Sequence, residues 1–207
     1  QEVGPLLRAA HRRPPLGRVS APEGAAEAGE LVRARNLAVG WPGRRPVLEG
    51  VDLSLSVGDR VLITGPSGGG KSTLAGVLTG ARASNEGLLL LRGLDRTSLG
   101  PRAWRKMVAQ APQFHENHIF ENTLAFNVLM GSSWPASPPD LARARALCDR
   151  LGLGPLLDRM PAGLNQVVGE SGWQLSHGER SRVFLARALL QGAEVVVLDE
   201  SFAALDP

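Results

Sequence analysis

The sequence predicts an α/β fold, and three observations carry that expectation. An apolar run, a glycine-rich turn and an apolar helix follow one another over residues 60–79. A second apolar run, Val195-Val196-Val197-Leu198, ends in two carboxylates, Asp199 and Glu200. Between these, residues 114–165 take on helical spacing and read as an α-helical insertion packed on a sheet-based core.

In chain order, residues 1–30 are rich in Pro, Gly, Ala and Arg and show no sustained hydrophobic period. They are expected to form a linker. Order is expected from Leu31. Leu31-Val32-Arg33-Ala34-Arg35 alternates like a half-buried strand, and residues 47–57 do the same until Gly58-Asp59 closes them with turn chemistry. Gly40-Trp41-Pro42-Gly43 is a turn that carries an aromatic. Arg60-Val61-Leu62-Ile63-Thr64 reads as a short buried strand, and residues 73–79 as a helix. Gly87-Leu88-Leu89-Leu90-Leu91 is a further strand, with a turn at residues 92–95. Val108-Ala109-Gln110 leads to Ala111-Pro112-Gln113, where proline breaks regularity. Residues 133–139 read as a Pro/Ser loop. Residues 142–151 read as a helix with Leu141, Ala144, Leu147 and Leu151 on one face. Residues 176–191 form a strong helical pattern with an apolar side at Val183, Leu185, Ala186, Leu189 and Leu190. Residues 193–198 read as a buried strand.

The stretch on which the rest is organised is Gly65-Pro66-Ser67-Gly68-Gly69-Gly70-Lys71-Ser72, followed by Thr73. It fits G-x-x-x-x-G-K-[ST], the phosphate-binding loop, in the strand–turn–helix context that the pattern requires. Glycines let the backbone bend so that its N–H groups point into one hollow. A helix starting near Gly70 adds the positive end of its dipole there. Lys71 puts a charge on the β- and γ-phosphates, and the Ser72 hydroxyl is placed to ligate Mg²⁺. Lys71 is one of only two lysines in a chain with 25 glycines, so a chance match is improbable.

Charge and composition exclude other classes. Lys and Arg exceed Asp and Glu by 23 to 20, and a net charge of +3 gives no ground for a nucleic-acid partner. The single cysteine, Cys148, excludes a disulfide framework or a thiolate metal cluster within this chain. No run approaches the ~18 apolar residues of a membrane-spanning helix, and no signal peptide is visible.

Two further constellations carry chemistry. At the end of residues 195–198, Asp199 can hold Mg²⁺, and Glu200, on the other side of the strand's end, can face a water at the γ-phosphate. In Leu175-Ser176-His177-Gly178-Glu179-Arg180, a small hydroxyl and exposed N–H groups open a helix and make a second anion site. A plain N-cap at Ser176 would need no ligand.

Residues 65–72, Gln113, residues 175–179, Asp199-Glu200 and Ala204-Leu205-Asp206 stand in the order seen in the nucleotide-binding domain of the ATP-binding cassette family, which residues 31–207 resemble. The resemblance implies a P-loop NTPase (RecA-like) core with an antiparallel β edge and a helical subdomain at about residues 114–184. It implies ATP and Mg²⁺ as ligands and a head-to-tail dimer, homo- or heteromeric, with a second ABC ATPase domain. By position, residues Gly65, Pro66, Ser67, Gly68, Gly69, Gly70, Lys71, Ser72 and Thr73 would wrap the phosphates. Trp41 would stack on adenine, and Gln113 would sense Mg²⁺ and the γ-phosphate. Gln110 is the nearby alternative, less favoured because the family's Pro-Gln pair aligns with Pro112-Gln113. Ser176 and Gly178 would contact the γ-phosphate held by the other subunit. Asp199 would serve Mg²⁺, Glu200 would polarise water, and Asp206 would sit at the dimer seam. Pro161-Ala162-Gly163-Leu164-Asn165 and Val168-Gly169-Glu170-Ser171-Gly172 resemble the exporter branch. With the linker, they imply a membrane domain fused upstream and a place at the cytoplasmic face of the cell (inner) membrane, with no nucleic-acid partner.

The chain departs from the family's usual signature at His177 and Glu179, where that signature has Gly and Gln. Glu179 is expected to repel a nearby phosphate unless it turns away to pair with Arg180 or Arg182. The family's switch histidine is expected downstream of Asp206, and the chain is expected to lack the C-terminal end of the domain. Two other functions compete. A soluble cassette acting on nucleic acid or ribosomes would need a basic arm or second cassette. A regulatory cassette with little turnover is motivated by Glu179 and opposed by Glu200.

Overall fold

A computed structural model describes residues 29–41, 43, 45–111, 118–132 and 134–199. The linker expected over residues 1–30 lies outside the described residues except for Gly29 and Glu30. In chain order the elements are β1 (Glu30–Val39), β2 (Leu48–Ser56), α1 (Lys71–Leu78), β3 (Glu86–Leu91), β4 (Leu94–Asp95), α2 (Arg96–Leu99), α3 (Pro101–Met107), β5 (Val108–Ala111), β6 (Asn122–Thr123), α4 (Leu124–Val128), α5 (Pro138–Arg150), α6 (Gly154–Arg159), β7 (Val167–Val168), α7 (His177–Leu190) and β8 (Val195–Leu198). They divide between two compact units. One holds the described residues through Gly69 together with Ala83–Trp104, and the other holds Gly70–Arg82 and the described residues from Arg105 onward.

The first unit is an antiparallel sheet in the order β2-β1-β3-β4, the antiparallel part of the expected fold. The central strand β1 pairs on both edges, Val32 facing Leu55 on one side and Leu91 on the other. Its alternation breaks, since Leu31 and Val32 are both buried. The cause is a register shift between Glu30 and Val32, and a second lies between Ala34 and Leu37. At the latter, Asn36 takes a positive φ of 47°, and its N–H donates to Asp52 Oδ1 at 2.8 Å. From Val51 onward the edge strand β2 alternates: Val51, Leu53 and Leu55 are half-buried, and Asp52, Ser54 and Ser56 are exposed. β3 turns into β4 through Arg92 and Gly93, both at positive φ, as a two-residue hairpin requires.

One expectation in this unit fails. Residues 60–64 form no strand, and Val61, Leu62 and Ile63 are 57%, 86% and 44% exposed. A short apolar run becomes a buried strand only when neighbours pair its edges and cover its faces. Among the described residues, no strand pairs with this one.

In the second unit β5 and β8 pair in parallel, Val108 facing Val195 and Ala111 facing Leu198. β8 is half-buried rather than buried, because among the described residues it is paired along one edge only. The helix α7 packs against both strands and against α4 and α5. Its buried stripe runs through Val183, Ala186 and Leu190, the spacing of one helix face. α5 begins earlier than expected, at Pro138, because Ser137 caps it and proline is tolerated in a first turn. Ala144 and Cys148 are its fully buried pair, with Leu141, Leu147 and Leu151 half-buried on either side. Burial pushes the Cys148 thiol up to about 11, so it stays protonated and serves as a core residue.

Candidate nucleotide-binding site

The loop that enters α1 is built from glycine geometry. Gly69 N–H donates to Pro66 O at 3.1 Å, closing a tight turn. Gly68 and Gly70 take φ values of 76° and 84°, a region where a side chain would be strained. A Cβ on Gly69 would stand 3.0 Å from the Pro66 carbonyl oxygen. Residues 65–69 belong to the first unit; Gly70, Lys71, Ser72 and Thr73 open the second.

Gly70 is the N-cap of α1. It has no side chain with which to cap the helix, and no acidic residue stands in the first turn. The first helical bond runs from Leu74 N–H to Gly70 O at 2.9 Å. Lys71 is half-buried and Ser72 exposed, while Leu74 through Leu78 are buried and hold the helix in place. Asp199 follows β8 directly. Its N–H donates to Ala111 O at 3.0 Å, so the ladder carries the carboxylate to the C-terminal end of the parallel pair. In open α/β sheets that end is where ligands bind. Within the second unit, a helix start on Gly70, a lysine, a hydroxyl and a carboxylate are groups of the kind that suit a phosphate with Mg²⁺. Trp41, in the first unit, is 49% exposed and so presents ring surface to solvent. Gln113, Glu200 and Asp206 lie outside the described residues.

The second anion site has the opposite construction. Ser176 caps α7: its Oγ accepts from Glu179 N–H at 3.2 Å, and Glu179 Oε2 accepts from Ser176 N–H at 2.8 Å. This reciprocal pair is a capping box. Glu179 pairs with neither Arg180 nor Arg182. Arg180 Nε donates to Leu175 O and Arg182 Nη1 to Gly152 O. Its partner is Arg159 at the end of α6, whose Nη2 reaches Glu179 Oε1 at 2.7 Å. Ser176 and His177 stay exposed and Gly178 half-buried. Just before this helix, Glu121 Oε1 accepts from Ser171 N–H, and Gln174 Nε2 donates to Gly169 O and Glu170 O, each near 2.8 Å. The exporter-like segment is thus folded onto β6 and β7, with Glu170 exposed.

Two structural groups were not foreseen from the sequence. Arg159 stands twenty residues from Glu179, and no local pattern links them. Arg187, 9% exposed on α7, had a signal: it is the lone charge in the apolar run of residues 183–190. Its Nε donates to Asn127 O at 2.8 Å, and its Nη2 to His118 O at 3.1 Å and Asn127 Oδ1 at 3.2 Å. Asn127, fully buried, in turn donates to Phe120 O and Thr123 O and accepts from Phe120 N–H. The guanidinium also lies over the rings of Phe184 and Phe120. Burial pulls it down to about 10, which still leaves it charged at neutral pH. His118 enters this network through its backbone carbonyl.

Comparison with known proteins identifies the family. A family model described as ABC transporter matches residues 48–203. The chain is 43% identical over 164 residues to the mycobactin import ATP-binding/permease protein IrtB of Mycolicibacterium thermoresistibile, covering 79% of this chain and 27% of that protein. It is 34% identical over 173 residues to the ATP-dependent lipid A-core flippase of Thiobacillus denitrificans, covering 83% and 29% respectively. The chain therefore spans little more than a quarter of the length of these relatives. Among solved structures, a bacterial Atm1-family ABC exporter with ATP bound superposes with a TM-score of 0.77 at 29% identity, covering 98% of this chain and 34% of that one. The chain belongs to the ABC transporter family and carries its ATP-binding ATPase domain.

Proposed function

We propose that the chain is the ATP-hydrolysing module of an exporter-type membrane transporter, working at the cytoplasmic face of the membrane. It acts with a second ATPase domain, homo- or heteromeric, and with a membrane domain fused upstream. The observation that carries the reading is the start of α1: positive-φ glycines lead into a helix whose first turn has Lys71 and Ser72 but no side-chain cap. Such a start is built to receive an anion.

In this reading the backbone N–H groups of residues 65–73 and the Lys71 ammonium hold the β- and γ-phosphates. Ser72 and Asp199 hold Mg²⁺, and Gln113 reports on it. When bound, Mg²⁺ supplies charge neutralisation at the β- and γ-phosphate oxygens. Trp41 stacks on the adenine ring. Glu200 orients and polarises the water that attacks the γ-phosphate in line, accepting its proton. Ser176 and Gly178 close on the γ-phosphate bound by the other subunit, and Asp206 lies at the seam. Closing on ATP and opening after hydrolysis drive the membrane domain. The relatives support exporter architecture, and their names include both an importer and a flippase.

The test is Glu200→Gln in the complete protein. The amide keeps the shape and loses the basic oxygen. ATP binding should persist while hydrolysis falls by about 10²–10⁴-fold, and gel filtration with ATP should show a longer-lived dimer. Turnover near the parent rate would overturn the role given to Glu200.

A further inference from the structure

We propose that Arg159 is a positioning residue for the start of α7: it holds the Glu179 carboxylate inside the capping box and cancels its charge where that terminus meets a phosphate. The inference rests on the reading above, in which residues 176–178 face the γ-phosphate of the other subunit.

Glu179 stands where the usual signature of the family it resembles has a neutral glutamine. Either side chain can complete a capping box, since both offer an oxygen to the N-cap N–H. Only the carboxylate adds a negative charge. In the first turn that charge favours its own helix, and it opposes a phosphate brought to the same terminus. The geometry offsets this. Each carboxylate oxygen has its own donor, Ser176 N–H on Oε2 at 2.8 Å and Arg159 Nη2 on Oε1 at 2.7 Å. The Glu179 side chain is consequently only 16% exposed, against 62% for Arg159. Arg159 is steadied from behind, where its Nε donates to Pro155 O at 3.3 Å within α6. The two arginines nearest in sequence are bonded to backbone carbonyls, Arg180 to Leu175 and Arg182 to Gly152. Arg159 is thus the guanidinium bonded to Glu179.

An exposed ion pair adds little to stability. Its value here lies in where it sits. With Arg159 in place, the pair is neutral and the carboxylate is turned along the helix start. With Arg159 removed, a lone negative charge remains beside Ser176 and Gly178. That charge weakens ATP-driven closure without touching the water, the base or the P-loop. The defect should appear in the ATP concentration for half-maximal hydrolysis rather than in the maximal rate.

The experiment compares the complete parent protein with Arg159→Ala, Arg159→Lys and the double variant Arg159→Ala/Glu179→Gln, at low and high salt. Arg159→Ala should raise the half-maximal ATP concentration about tenfold at low salt and less at high salt, with the maximal rate within about twofold. Arg159→Lys should retain most of the parent behaviour. Adding Glu179→Gln to Arg159→Ala should remove most of the increase, because the charge that needed cancelling is gone. A merely structural role would give a double variant no better than the single one, and that result, or superimposable parent and Arg159→Ala curves, overturns the proposal. Amide hydrogen exchange at Ser176 in the nucleotide-free protein decides the positioning claim independently of turnover. It should quicken in Arg159→Ala, and unchanged exchange overturns that claim. A parent protein without ATP turnover counts against the proposed function instead.

Discussion

α1 and α7 both begin where an anion is expected, and they begin in opposite ways. α1 starts on Gly70 at positive φ, with no side chain to bond its first turn. α7 starts on Ser176, bonds its own first turn through Ser176 and Glu179, and braces Glu179 with Arg159. The first design gives the helix terminus no side-chain cap at its N-cap position. The second bonds the N–H groups of Ser176 and Glu179 with its own side chains. The difference separates two tasks that a phosphate site needs. In the proposed function one terminus holds the nucleotide of its own chain, and its N-cap carries no side chain. In the same proposal the other keeps its shape while a second domain opens and closes on it, and its own side chains hold it. Changes in α7 should therefore be felt in stability without nucleotide, and changes in α1 in nucleotide affinity.

The largest effect is expected inside α7, at Arg187. Its guanidinium donates to Asn127 O, Asn127 Oδ1 and His118 O, tying the helix to α4 and to the segment before β6. Arg187→Leu fills similar space but withdraws the donors from buried acceptors. Each such loss costs about 1–3 kcal/mol, so the nucleotide-free protein should lose on the order of 3 kcal/mol or more in urea unfolding. Arg187→Lys should recover only part, because one ammonium cannot serve the same fork of acceptors. Unfolding unchanged by Arg187→Leu would show that α7 is not held from within.

Next in size is Lys71→Ala at the other start. The lysine brings the fixed cation nearest the expected triphosphate, and a hydrogen bond to a charged group contributes about 1.5–3 kcal/mol. Nucleotide titration should show ATP affinity reduced by about ten- to a hundredfold, since each 1.4 kcal/mol is about tenfold. Urea unfolding without nucleotide should change by less than the loss of affinity. Loss of stability as large as the loss of affinity would make α1 a structural element like α7 and erase the contrast.

Much of this was readable from residues alone, for physical reasons that differ by region. The helix of residues 177–190 announces itself by its apolar spacing and its polar start, because both signals are local. The hairpin at Arg92-Gly93 and the turn at Gly58-Asp59 are local too. Glycines before Lys71 mark the bend into α1 for the same reason. Residues 60–64 show the limit: their composition is that of a strand, but a strand is made by its neighbours, and composition does not say which neighbours are present. Residues 195–198 show a milder form, half-buried where full burial was expected. The bulges in β1 depend on its pairing with β2 and β3 at once, so a single run of alternation could not reveal them. The partner of Glu179 was hidden for the plainest reason. Arg180 and Arg182 are near it in sequence, while Arg159 is near it only after α6 and α7 have packed.

The smallest effect tests the contrast at its most specific point. Ser176→Ala removes the oxygen that accepts from Glu179 N–H at 3.2 Å but leaves the other half of the capping box, Ser176 N–H to Glu179 Oε2, in place. Loss of a serine cap costs about 1 kcal/mol. Here the intact half and the Arg159 bond still fix Glu179, so the loss should be at or just below that figure. Ser176→Asp can cap the helix, since aspartate is as good an N-cap as serine. It would therefore restore nucleotide-free stability while adding a negative charge where the other subunit's phosphate is expected. The two substitutions pull apart the two roles of this terminus. Ser176→Ala should lower the urea midpoint slightly. Ser176→Asp should keep the midpoint at the parent value and yet raise the ATP concentration for half-maximal hydrolysis more than Ser176→Ala does. Equal midpoints for all three proteins would mean that the cap does not hold α7. Equal ATP dependence for the two variants would mean that no phosphate approaches this helix start, leaving α1 as the anion site and α7 as a capped helix alone.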